Sequence, residues 1–136
     1  MANFSDFWED TIIDHMLRAG AYTPPANVYL AMFTANTNLE INAPTAEVSG
    51  NSYARQEVWL DAASAGATAN NADVTFPEAT GNWGTLTSVG VVDSETGTVF
   101  GTNVNVLMWG DLASSKTVGS GDTFKIKTGD LDITVA

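Results

Sequence analysis

The stretch FPEATGNWGTLTSVGVVD, residues 76–93, decides the fold class. Its first half is polar and punctuated by Pro77, Gly81 and Gly84 around Trp83, the composition of a turn. Its second half, residues 86–92, is an alternating apolar strand. A turn that feeds straight into such a strand predicts β-structure made for packing, not for chemistry.

The same signals recur on either side. Residues 28–34, VYLAMFT, are apolar on both alternating sets, as in a strand covered on two faces, and are expected to form the central strand. Residues 53–60 alternate as Tyr53, Arg55, Glu57 and Trp59 against Ala54, Gln56, Val58 and Leu60, so one face is expected to meet a partner or solvent. Short strands are predicted at 74–76, 98–100, 104–109, 123–127 and 131–135, separated by Gly-Asp, Ser-Glu-Thr-Gly or Ser-Gly turns. Residues 35–51 have no sustained period and read as a surface excursion, and AASAGATANNAD, residues 62–73, as small side chains and turn formers. Strands at this spacing predict a mainly β fold, an antiparallel β-sandwich or barrel.

Only the first twenty residues carry a helical signal. Phe4, Phe7, Trp8, Ile12, His15 and Met16 recur at three- and four-residue spacing, which aligns them on one face of an amphipathic helix. Asn3 or Ser5 can cap its start, with Asp6, Glu9 and Asp10 near its positive end, and Gly20 can stop it. Pro24 and Pro25 forbid continuation. The expectation is one domain over residues 1–136, with a helix at 1–20 and a β-domain at 27–136.

Composition narrows the function classes. With 136 residues, 44% apolar and 15% charged, the chain is large enough for a core and too apolar for disorder, yet too interrupted by polar residues to span a membrane. No cysteine is present, which removes disulfides, thiolate metal sites and cysteine nucleophiles. Sixteen acidic residues against five Lys and Arg leave a net charge of −11, unfavourable for nucleic acid and anionic lipid and favourable for solubility or a basic partner. The acidic start MANFSDFWED lacks the basic and apolar runs of a secretory signal, so folding is expected in the cytoplasm of the producing cell.

Candidate chemistry is sparse. His15, the single histidine, falls on the apolar helix face and reads as a partly buried packing residue. Asp93, Glu95 and Gly97, or Asp130 and Asp132, lack the ligand ladder of a calcium loop and read as turns, so neither a metal nor a cofactor is expected. Arg55 is expected to pair with Glu57, or with an acid of another subunit. Trp8 and Trp109 read as core. Trp83, between Asn82 and Gly84, can pack, anchor a subunit contact or stack on a glycan.

Taken in order, LRAGAYTPP, VYLAMFT, YARQ, NNADVTFPEATGNWGT, VGVVD, VLMWG and KTVGSGDTFKI resemble a family of small structural proteins of tailed bacteriophages, commonly labelled tail-fibre or virion structural proteins. YARQ and FPEATGNWG are the most specific blocks, while TVFGTNVN, residues 98–105, is longer than the Gly-Gly turn expected there. The resemblance implies a non-enzymatic virion component, made in the host cytoplasm. It would adhere to other virion proteins, the major capsid protein or tail proteins, as a capsid decoration (cement) or tail-fibre-associated protein, working as a homo-oligomer such as a trimer. Assembly contacts are then expected at Phe4, Phe7, Trp8 and Ile12 on the helix and at Tyr53, Arg55 and Trp59 on the two-faced strand. The alternative is a host-glycan-binding module that uses Trp83 and the 35–51 loop.

Overall fold

The computed structural model describes residues 3–135. Met1, Ala2 and Ala136, at the outer ends of the expected helix and β-domain, lie outside the described residues. After a short strand β1 (Asn3–Phe4), Ser5 opens α1 (Asp6–Leu17). Ser5 is fully buried; its Oγ accepts the Trp8 amide at 3.3 Å and donates to the carbonyl of Val106. Of the two candidate caps Ser5 is therefore the one used, and it also fastens the helix to the sheet. Asp6 and Glu9 occupy the first turn, where the exposed backbone amides favour negative charge. At the other end the Asp14 carbonyl accepts the amides of Arg18 (3.1 Å) and Gly20 (2.8 Å), with Ala19 between them at φ 54°. The helix thus stops at Leu17 rather than at residue 20.

The strands that follow are β2 (Val28–Phe33), β3 (Gln56–Val58), β4 (Ala67–Ala69), β5 (Val74–Thr75), β6 (Gly84–Val92), β7 (Val106–Val118), β8 (Lys125–Ile126) and β9 (Asp132–Thr134). They form a five-stranded sheet, β1-β7-β6-β2-β3, and two ribbons, β4-β9 and β5-β8, in which every strand pair is antiparallel. The molecule is mainly β, 37% strand and 9% helix, and its sheets are not closed into a barrel. The expected central strand, β2, is interior, but the middle place belongs to β6. Residues 98–100 form no strand: Phe100 makes a single bridge to Val104, and the Asn103 side-chain oxygen holds the Val99 amide at 2.8 Å. This compact knot accounts for the unexpected length of TVFGTNVN.

Alternation along β2 separates two apolar clusters. Leu30 and Met32 face one side with Val58, Val89 and Val91, where the ribbons lay Val74, Ile126 and Ile133 against them. Ala31 and Phe33 face the other side with Leu39, Val92, Val104 and Val106. The layering of ribbons on one face is sandwich-like. Register shifts between Leu86 and Ser88, and between Val91 and Val92, locally break the two-residue period. As a result Leu86 joins the same cluster as Val89, and on β7 the neighbours Leu107 and Met108 both lie on the side of the first cluster. At Gly90 the ring of Phe33 lies so close that a Cβ would sit 3.0 Å from its Cε2.

The 35–51 segment is not a free excursion. Leu39 is fully buried in the second cluster, the Thr34 and Val48 amides bond to Ala46 and Met32 carbonyls at 3.0 Å each, and the Asp6 amide bonds to Glu40 at 2.7 Å. Asn42, 8% exposed, accepts the Val106 amide at 2.7 Å and donates to Asn105 at 2.9 Å. Its paired side-chain bonds satisfy polar groups that burial would otherwise leave costly.

Candidate functional site

The two blocks that carry the resemblance, YARQ and FPEATGNWG, meet in one buried seam. Tyr53 is held by its hydroxyl, which accepts the Met32 amide at 2.9 Å and donates to Glu47 at 3.1 Å. Its ring stacks on Phe76 at 6.2 Å and meets Trp83 edge-on at 5.4 Å. Burial, then the Glu47 charge, push the phenol far above its ordinary value, so it stays a neutral donor.

Arg55 lies beside it and is 7% exposed. Its Nε and Nη2 both bond to the Glu47 carboxylate at 2.7 Å, and Nη1 bonds to the Ser94 carbonyl at 2.9 Å. The guanidinium carbon stands 5.4 Å from the centre of the Phe100 ring. Burial opposes the charge, but the bonds to Glu47 and its negative charge outweigh it and hold the guanidinium pKa above its ordinary value. The partner is Glu47, not Glu57, because residues 47 and 48 run alongside β2 and bring the carboxylate to Arg55 from outside its own strand.

Trp83 is 6% exposed, its indole N–H bonded to the Asn51 carbonyl at 2.9 Å and its amide to Val118 at 2.9 Å. Its ring meets Phe76 edge-on at 6.4 Å. The turn therefore folds inward, and the ring offers no open face for a sugar. Residues 35–51 are pinned to the sheet through Leu39, Asn42 and Val48, while most of their other side chains, Ile41 among them, face outward.

The expected assembly residues divide in the same way. Phe7 and Trp8 are half-buried against the first cluster, and Trp8 meets Tyr22 edge-on at 5.4 Å. Phe4 pairs in register with Met108, and Ile12 is half-buried. Tyr53 and Arg55 are spent within the chain. Trp59, at 62% exposure, stays at the surface beside the edge strand β3. The structure does not gather these side chains into one patch, since β1 and β3 form opposite edges of the sheet. Instead it exposes Ile13, Met16 and Leu17, in the second half of α1. The three- and four-residue spacing groups Met16 with the inner residues, whereas the helix turns it, with Ile13 and Leu17, to the outer side.

His15 is exposed, not partly buried; its Nδ1 lies 2.9 Å from the Gly20 carbonyl and its ring beside Tyr22. A groove of about 360 Å³ beside β7 has Val89, Leu112 and Phe124 in its lining together with Asp111, Lys116 and Lys125. Among the described residues, no three His, Cys, Asp or Glu side chains are placed to hold a metal ion.

The sequence matches, over residues 3–134, the family model described as podophage GP4 fiber I protein gp80. No curated protein matches the chain. The match spans nearly every described residue, from the β1 strand to β9, and takes in both blocks of the buried seam. The chain therefore belongs to the podophage GP4 fiber I protein gp80 family, and is a phage structural protein of the tail-fibre type and a component of the virion.

Proposed function

We propose that this protein is a non-enzymatic adhesive domain of the phage fibre, which holds to neighbouring virion proteins by surface contact. The observation that supports a fibre place over capsid cement is the family match across residues 3–134, whose description names a fibre protein. The fold suits adhesion, because polar residues locked into the seam make a rigid body whose outer surface is free for contact. In a symmetric fibre each weak contact gains from repetition, so one folded chain per position, as a homo-oligomer such as a trimer, is enough for firm attachment.

Gold-labelled antibody against the protein, applied to purified particles, tests the placement. Label at the tail supports the fibre role, and label spread over the head assigns it to capsid decoration. Purified protein incubated with host polysaccharide is expected to release no reducing ends; release would overturn the non-enzymatic reading.

A further inference from the structure

The outer face of α1 is divided along its length. At 3.6 residues per turn, Asp6, Glu9, Asp10, Ile13, Met16 and Leu17 all fall within a sector of about 120°. Phe7, Trp8, Thr11 and Ile12 point the other way and are half-buried. Asp6, Glu9 and Asp10 are exposed, and Ile13, Met16 and Leu17 are 51%, 71% and 80% exposed. One face thus carries a carboxylate half followed by an apolar half, along about 16 Å of helix. No residue from 13 to 27 is buried, so nothing within the chain covers the apolar half. Asp6 and Glu9 also favour the helix start, which gives them an internal role; Ile13, Met16 and Leu17 have none.

Charge complementarity selects the occupant. If a second copy presented the same face in parallel, carboxylates would lie on carboxylates. In the antiparallel arrangement, carboxylates would be desolvated against Ile13, Met16 and Leu17 without a counter-ion. We infer that this face docks into a different virion protein, in an apolar pocket continued on one side by Lys or Arg. The inference rests on the fibre role and names the chemistry of the partner. Leu17 and Met16 would fill the pocket, while Glu9 and Asp10 meet its basic rim and set the direction of the helix.

The test uses phage that encode the full chain and counts copies per purified particle by quantitative mass spectrometry. Leu17→Asp is expected to lower the count at least about tenfold, because a carboxylate cannot enter an apolar contact unpaired. Glu9→Lys with Asp10→Lys is expected to lower it several-fold, while Glu78→Lys with Glu95→Lys, the same charge change outside the helix, leaves it unchanged. Met16→Glu replaces Leu17→Asp should circular dichroism show lost helicity. Wild-type counts in the helix variants, or an equal loss in the Glu78/Glu95 control, would overturn the inference. So would sedimentation that shows a wild-type oligomer turned to monomer by Leu17→Asp, since a second copy would then be the occupant. Wild-type protein missing from particles would instead sink the fibre role itself.

Discussion

Arg55, a cation, is 7% exposed, whereas Leu17, an aliphatic side chain on the same molecule, is 80% exposed. Around Arg55 every polar atom finds a partner, Glu47 on two nitrogens and the Ser94 carbonyl on the third, so burial is tolerated. Around Leu17 the chain supplies no covering surface at all. The seam shows residues that look like contact groups consumed by the fold. The helix shows residues that look like core left outside it. Side-chain type alone therefore misassigns both regions, and what sorts them is whether some distant segment arrives to satisfy or to cover them.

The largest effect is expected at the seam. Trp83→Ala removes an indole packed on Tyr53 and Phe76 and leaves the Asn51 carbonyl with the Thr80 amide as its remaining donor, which should cost about 3–5 kcal/mol in urea denaturation, chiefly from the lost packing. A loss below about 1 kcal/mol would mean that the ring is not core, and would reopen the subunit-contact and glycan roles for it. Arg55→Ala strands the Glu47 carboxylate and should cost about 3 kcal/mol. Replacing both, with Glu47→Gln and Arg55→Met, should recover much of that loss, and with the single variants Glu47→Gln and Arg55→Met it completes a double-mutant cycle that isolates the pair.

The contrasting region should barely respond. Leu17→Asp is expected to change stability by less than about 0.5 kcal/mol, because the side chain is already in water. A much larger loss would show that the helix face is covered after all, and the contrast with the seam would collapse.

The smallest effect concerns pH. The Asp73 carboxylate accepts the Thr128 amide at 2.8 Å and hydroxyl at 3.0 Å and meets Lys125 at 3.4 Å; these bonds, the Thr128 amide foremost, hold its pKa below the ordinary value. With the folded value depressed, the group's contribution is complete above the unfolded carboxylate range, about pH 4, and is lost as pH falls through the folded value. Thermal melts of wild type and Asp73→Asn should therefore differ slightly at neutral pH and converge as the solution is acidified. Because Asp73 is exposed, equal melts throughout would place all of the molecule's acid sensitivity elsewhere.

How far these features are legible in the sequence follows from the range of the interactions that make them. The helix is visible because its signals are local: Ser5, Asp6, Glu9 and Gly20 act within one or two turns of their own backbone. Its inner and outer faces are harder to tell apart, since both carry large apolar residues. Strands 28–34 and 86–92 are visible through alternation, though not the register shift that moves Leu86 to its cluster. β4 is invisible, because Ala67, Thr68 and Ala69 have little strand character of their own and extend only by pairing with β9. The true partner of Arg55 lies eight residues away on a segment without a period, and Trp83 meets Asn51 from 32 residues away.

From the order of amino acids alone came the acidic character, the mainly β class, the single leading helix and the likeness to phage structural proteins, because composition and short periods are written residue by residue. The fate of Tyr53, Arg55 and Trp83 as interior, and of Ile13, Met16 and Leu17 as surface, came from the packed chain. Burial depends on which remote segment returns to a given spot, and that is a property of the folded whole.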